Sequence, residues 1–171
     1  MVYPIVKYPD PVLTTPGKPL AAELGTPELH KLIDDMFESM YAANGVGLAA
    51  PQIGRSQRLT VIDCSVGEDP EQKLVLINPE ILHREGKQTG EEGCLSIPGF
   101  RADVTRALAV RVRAQNADGE WFEAEGTELL ARAMQHEIDH LNGVLFISHL
   151  STLKRDLIKR KIRKLQKDGE W

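Results

Sequence analysis

The sequence predicts an α+β fold in which antiparallel β-sheets pack around one central helix, and three observations predict it. Leu108, Val110 and Val112 alternate with Ala109, Arg111 and Arg113, the period-two pattern of a half-buried strand. Leu29, Leu32, Ile33, Met36 and Met40 recur at helical spacing, giving one apolar face. A second helical stretch aligns Leu129, Ala133, His136 and His140 on a single face.

The elements follow in order along the chain. Thr26-Pro27-Glu28 starts the first helix with a capping hydroxyl, a proline in the first turn and an acid near the positive end of the dipole. Asn44-Gly45 ends it. From about 58 to 126 the pattern is that of strands, beginning with Leu59-Thr60-Val61-Ile62-Asp63-Cys64, in which Cys64 reads as a buried thiol. The Asp118-Gly119 turn returns the chain through Trp121-Phe122 as a hairpin. The central helix should begin near Thr127 and stop at Gly143.

A last amphipathic helix is expected over about 150–167, with Leu150, Leu153, Leu157, Ile158, Ile162 and Leu165 as its apolar stripe. Its eight basic side chains against Asp156 alone give plus seven, which leaves minus eleven on the rest of a chain whose net charge is minus four. That charge is either a solvated face or a contact for ribosomal RNA.

Residues 1–171 read as one domain, because the length and the 42% hydrophobic content suffice for one core and no linker or repeat interrupts them. No apolar run approaches the roughly 20 residues needed to cross a bilayer. Met1-Val2-Tyr3-Pro4 does not open a signal peptide. Two cysteines make no disulfide framework.

The chemistry is concentrated in His136-Glu137-Ile138-Asp139-His140. Residues four apart on a helix point the same way, so the two imidazoles converge. Glu137 lies on the adjoining edge, rotated away from ligation yet placed to share a proton with an activated water. Such a site needs a third protein ligand. In the extended protease signature that ligand is a histidine six residues past the second one, and Phe146 stands there. His149 and Asp156 follow without a local arrangement that argues for ligation. Upstream, Cys94 sits in the turn-rich segment Glu91-Glu92-Gly93-Cys94-Leu95-Ser96-Ile97-Pro98-Gly99. A thiolate with two imidazoles completes a three-ligand set and leaves a fourth position open.

Three separated blocks now stand together: Gly45-Val46-Gly47-Leu48-Ala49-Ala50-Pro51-Gln52, Glu92-Gly93-Cys94-Leu95-Ser96, and Gln135-His136-Glu137-Ile138-Asp139-His140. In content, order and spacing the chain resembles the peptide deformylases of the bacterial type. The resemblance implies a hydrolase that removes the formyl group from the N-terminal formylmethionine of newly made polypeptides and releases formate. It implies that Cys94, His136 and His140 hold one divalent metal, with Fe2+ favoured in cells and Zn2+, Ni2+ or Co2+ able to replace it on purification. Glu137 becomes the proton carrier, and Gln52 with the backbone N–H of Leu95 the donors to the formyl oxygen.

By the same resemblance Val46, Leu129 and Ala133 form the wall for the methionine side chain, although ordinary core packing is the competing reading of Leu129. Glycines at 45 and 47 let an extended substrate pair its main chain along this segment. Glu92 and Arg101 are assigned to orient ligands from behind, with an exposed surface charge as the alternative. Arg132 is expected to pack its stem and send its guanidinium to solvent or to a substrate carbonyl. An oxidisable ligand thiolate fits a reducing bacterial cytoplasm, and an organellar enzyme is compatible with it. The expected partners are formylated nascent peptides and, through the basic helix, the ribosome; neither membrane nor DNA is expected. A metalloprotease and a noncatalytic metal-binding or redox-sensing module are the rival classes.

Overall fold

Proline and a capping threonine set the first helix where the sequence places it. In the computed structural model, which describes residues 1–171, α1 spans Pro27–Ala42 and the Thr26 hydroxyl accepts from the Leu29 N–H at 3.2 Å. Asn44, with φ of 56°, takes the chain out of the helix, and the Gly45 N–H closes back on the Met40 carbonyl. Seven strands follow: β1 Gly47–Ala49, β2 Leu59–Ile62, β3 Leu74–Glu85, β4 Gln88–Cys94, β5 Ile97–Arg106, β6 Ala109–Gln115 and β7 Trp121–Thr127. Two more helices end the chain, α2 Glu128–Leu141 and α3 Thr152–Lys167.

The strands form a five-stranded sheet in the order β1-β2-β3-β6-β7 and a separate β4-β5 hairpin, all antiparallel. All four residues of β2 are buried, because both faces of the large sheet are covered there. Leu59, Val61 and Ile77 point to α1, whereas Ile62 and Leu76 point the other way to Ala131, Met134 and Ile138 of α2. A third apolar cluster joins Ile97 and Val104 of the hairpin to Leu13, Phe146 and Ile162. The helix α2 therefore lies between the large sheet and the hairpin, as the α+β reading expects. The strand β1 is the outer strand at one end of the large sheet.

Some expectations shift. Leu108 precedes β6 and is exposed, so the buried alternation is Val110, Val112 and Ala114. Cys64 lies beyond the end of β2 and is half-buried. Thr127 offers no side-chain cap to α2; tertiary bonds start that helix, from the Glu128 N–H to the Leu108 carbonyl and from Gln88 to the Glu128 carbonyl. On α3 only Ile162 of the expected stripe is wholly enclosed, while Leu153 and Leu157 are exposed, because the helix meets the third apolar cluster by a narrow seam of Ile158 and Ile162.

Candidate metal centre

Two elements meet to make the site. The hairpin ends β4 at Cys94 with a register shift beside Gly93, which turns the sulfur toward α2. That helix presents His136 and His140 from successive turns. The two Nε2 atoms stand 3.1 Å apart, Cys94 Sγ is 3.3 Å from His140 Nε2, and all three ligand atoms fall within 4.8 Å of one another.

The residues fit a cation. Tetrahedral bonds of about 2.05 Å to nitrogen and 2.3 Å to sulfur place two nitrogens about 3.3 Å apart and nitrogen and sulfur about 3.6 Å apart, close to the spacings here. His136 Nδ1 is bound to a Glu92 oxygen, so that nitrogen carries the proton and Nε2 offers its lone pair inward. Lone pairs from two nitrogens and a sulfur this close repel unless positive charge sits among them. The electrostatics agree: burial opposes charge on His136, but the Cys94 sulfur and the Glu92 and Glu137 carboxylates outweigh it and raise its pKa. Burial, reinforced by positive charge at His136, lowers the pKa of His140.

Glu137 is buried beside this cluster, its Oε1 3.8 Å from His136 Nε2 and its Oε2 without a hydrogen-bond partner. Burial, with Glu92 adding to it, pushes its pKa up to about 7 against the pull of His136 and Arg106. Gly47 backs it. A Cβ at 47 would lie 2.9 Å from Glu137 Cγ and Cδ, so Gly47→Ala must displace the carboxylate. Misplacement by about 1 Å can cost a hundredfold, and steady-state kinetics of Gly47→Ala should show a fall in kcat of about that size.

Gln52 is buried in the turn after β1. Its Oε1 accepts from the Ala49 N–H at 2.9 Å, which aims Nε2 at Ser96 Oγ, 3.2 Å away, and at Cys94 Sγ, 3.5 Å away. Behind His136, Glu92 is held by two guanidinium groups and one imidazole. Arg106 donates to it from Nε at 2.9 Å and Nη2 at 2.7 Å, Arg132 donates from Nη1 at 2.9 Å, and His136 completes the set. Burial pushes this carboxyl upward, yet His136 and Arg106 hold it well below the usual carboxylate range.

Every candidate site residue except the fully enclosed His140 lines one cavity of about 560 Å³. Leu129 is 52% exposed, so its place is on the cavity wall and not in the core. Arg101 pairs with Glu91 at 2.6 Å, both exposed at the cavity mouth and apart from the Cys-His-His group. Glu92 contacts His136 Nδ1, on the side of that ring away from Cys94 and His140, so it lies behind the Cys-His-His group. The expectation for Arg132 is corrected: its guanidinium is buried against Glu92 and the Val104 carbonyl, because Glu92 needs the charge. Arg106 escaped the sequence reading. Its signal was an arginine in step with Val104 on the inward face of β5.

A family model described as polypeptide deformylase matches residues 2–156. The peptide deformylase of Acidobacterium capsulatum is 66% identical over 171 residues, covering 100% of this chain and 99% of that protein. That of Alkalilimnicola ehrlichii is 52% identical over 165 residues, 96% of this chain and 91% of that one. Among solved structures, a peptide deformylase from Legionella pneumophila superposes with a TM-score of 0.90 at 46% identity, over 99% of this chain and 98% of that one. The enzyme from Thermus thermophilus gives 0.85 at 43% identity, over 95% and 94%. With the Cys94, His136 and His140 cluster set beside Glu137, these likenesses place the chain in the polypeptide deformylase family.

Proposed function

We propose that this protein hydrolyses the formyl group from the N-terminal formylmethionine of nascent polypeptides, releasing formate and a free amine. One observation carries the reading: a buried carboxylate with an unpartnered oxygen stands beside a cysteine sulfur and two imidazoles at one end of a cavity. A divalent ion held by Cys94 Sγ, His136 Nε2 and His140 Nε2 supplies Lewis acidity, which lowers the pKa of water toward neutrality and polarises a carbonyl. Iron in the cell, and zinc, nickel or cobalt after purification, suit this donor set.

The chain's own groups do the rest. Glu137 takes the proton of the attacking water and returns it to the departing amine. The Gln52 side-chain amide and the Leu95 N–H donate to the formyl oxygen as it gains charge. Val46, Leu129 and Ala133 take the methionine side chain. The unpaired edge of β1 from Gly47 accepts the peptide main chain as an added strand. Incubation with formyl-Met-Ala-Ser should release formate and new amine in equal amounts. Loss of both on chelation and recovery on adding zinc or cobalt supports the reading, whereas cleavage inside the peptide would replace it with a protease.

The reducing cytoplasm suits the Cys94 thiolate. No helix of the structure is long and apolar enough to cross a membrane. The exposed basic face of α3, with Lys154, Arg160, Lys161 and Lys164, is a contact for ribosomal RNA. Changing these four to glutamine, which spares the buried Ile162, should abolish co-sedimentation with ribosomes at low salt; equal retention of both proteins would count against it.

A further inference from the structure

We propose that His149 is a positioning residue for the metal ligand His136, acting through Asp139, Arg106 and Glu92. The inference rests on the metal-centre reading above and adds to it an arm that ends at the protein surface.

The links are continuous. His149 Nε2 lies 2.8 Å from Asp139 Oδ2, so this nitrogen carries the proton and donates. The same Asp139 oxygen accepts from Arg106 Nη1 at 2.9 Å. Arg106 then grips Glu92 with Nε and Nη2, and Glu92 holds His136 Nδ1. A guanidinium is a rigid planar fork, so tilting its Nη1 end moves the two nitrogens that grip Glu92.

Asp139 is the soft link. Arg106 and Glu92 side chains are 4% and 5% exposed, but Asp139 is 24% exposed and His149 37%. A second cavity of about 340 Å³ opens on this pair, bordered also by Arg84 and Lys87. Water or either of those cations can draw the Asp139 carboxylate outward once His149 no longer holds it. His149 stands at the end of the one-turn 3₁₀ segment Phe146–His149, whose Phe146 ring stacks on His136 at 6.4 Å. The backbone that carries the surface histidine is thus already fixed against the ligand.

The test is the rate at which zinc leaves the loaded full-length protein for an excess of a coloured chelator. Outer contacts of metal ligands are worth about 10- to 100-fold in metal retention, and His149→Phe should release zinc about tenfold faster. His149→Gln, which keeps a donor near the same place, should stay within about twofold of the starting protein. With Asp139→Asn already present, His149→Phe should add nothing, since the two act through one path. His149→Leu gives the same readout if phenylalanine is not accommodated. Unchanged release in the Phe variant, equal acceleration in Phe and Gln, or full additivity with Asp139→Asn would each overturn the proposal. A starting protein that binds no zinc would instead overturn the metal-centre reading beneath it.

Discussion

Glu137→Gln is expected to leave the metal content of the protein unchanged and to lower kcat by about 10²- to 10⁴-fold, the range a positioned general base supplies. Glutamine has the shape of glutamate, so it fits against Gly47 without a new contact. It cannot take up a proton. At 3.8 Å from His136 Nε2, the Glu137 carboxylate stands beside the Cys-His-His group, and elemental analysis should therefore find the same metal. The variant also tests the burial. In the absence of metal the unfolded chain ionises Glu137 near its ordinary 4.5 and the folded chain near 7, so raising the pH between those values weakens the folded state. Glutamine removes that cost, and the metal-free variant should melt no lower than its parent at pH 8. Turnover within tenfold of the parent would exclude the proton-carrier role.

Arg106→Met is expected to cost about 3–5 kcal/mol of stability, the range for breaking a buried ion pair on one side. Its methionine fills much of the volume but leaves Glu92, 5% exposed, without its bidentate partner, and Asp139 without its buried one. Glu92 then keeps only Arg132 and His136, and Asp139 keeps only His149. Denaturant midpoints at unchanged m-value should report the loss, and a cost below about 1 kcal/mol would refute the account. The pH dependence has a definite sign. In the parent the Glu92 carboxyl is held well below its ordinary 4.5, so its contribution is complete above that value and is lost only as the pH falls through the depressed one. Without Arg106 the acid limb of stability should move upward.

The parts of the site visible in the sequence are those that one helical turn or one short turn encodes. His136 and His140 needed only their spacing, and Glu137 only its place between them. Cys94 was found because two imidazoles leave a ligand missing. The buried hub was not visible, because Glu92, Arg106 and Arg132 come from β4, β5 and α2, and their pairing depends on how the hairpin docks. Glu92 is legible as a group that orients a ligand from behind, but the two arginines that bury with it are not. The ambiguity at Leu129 is of the opposite kind: leucine at a helical spacing looks like core, and only the open cavity leaves it uncovered. At Leu108 the alternation is right in period but begins two residues before the first buried position, Val110, because the β5–β6 connection takes that leucine out to solvent.

If the substrate pairs with β1 as proposed, the brevity of that strand limits what the protein can discriminate. The open border of β1 spans only Gly47–Ala49, and the Ala49 N–H is already taken by Gln52, so a guest chain paired there would find backbone groups at very few positions, and those bonds are blind to side-chain identity. Beyond the starting methionine, polypeptides of nearly any composition would be treated alike, which suits a catalyst that must serve a whole proteome.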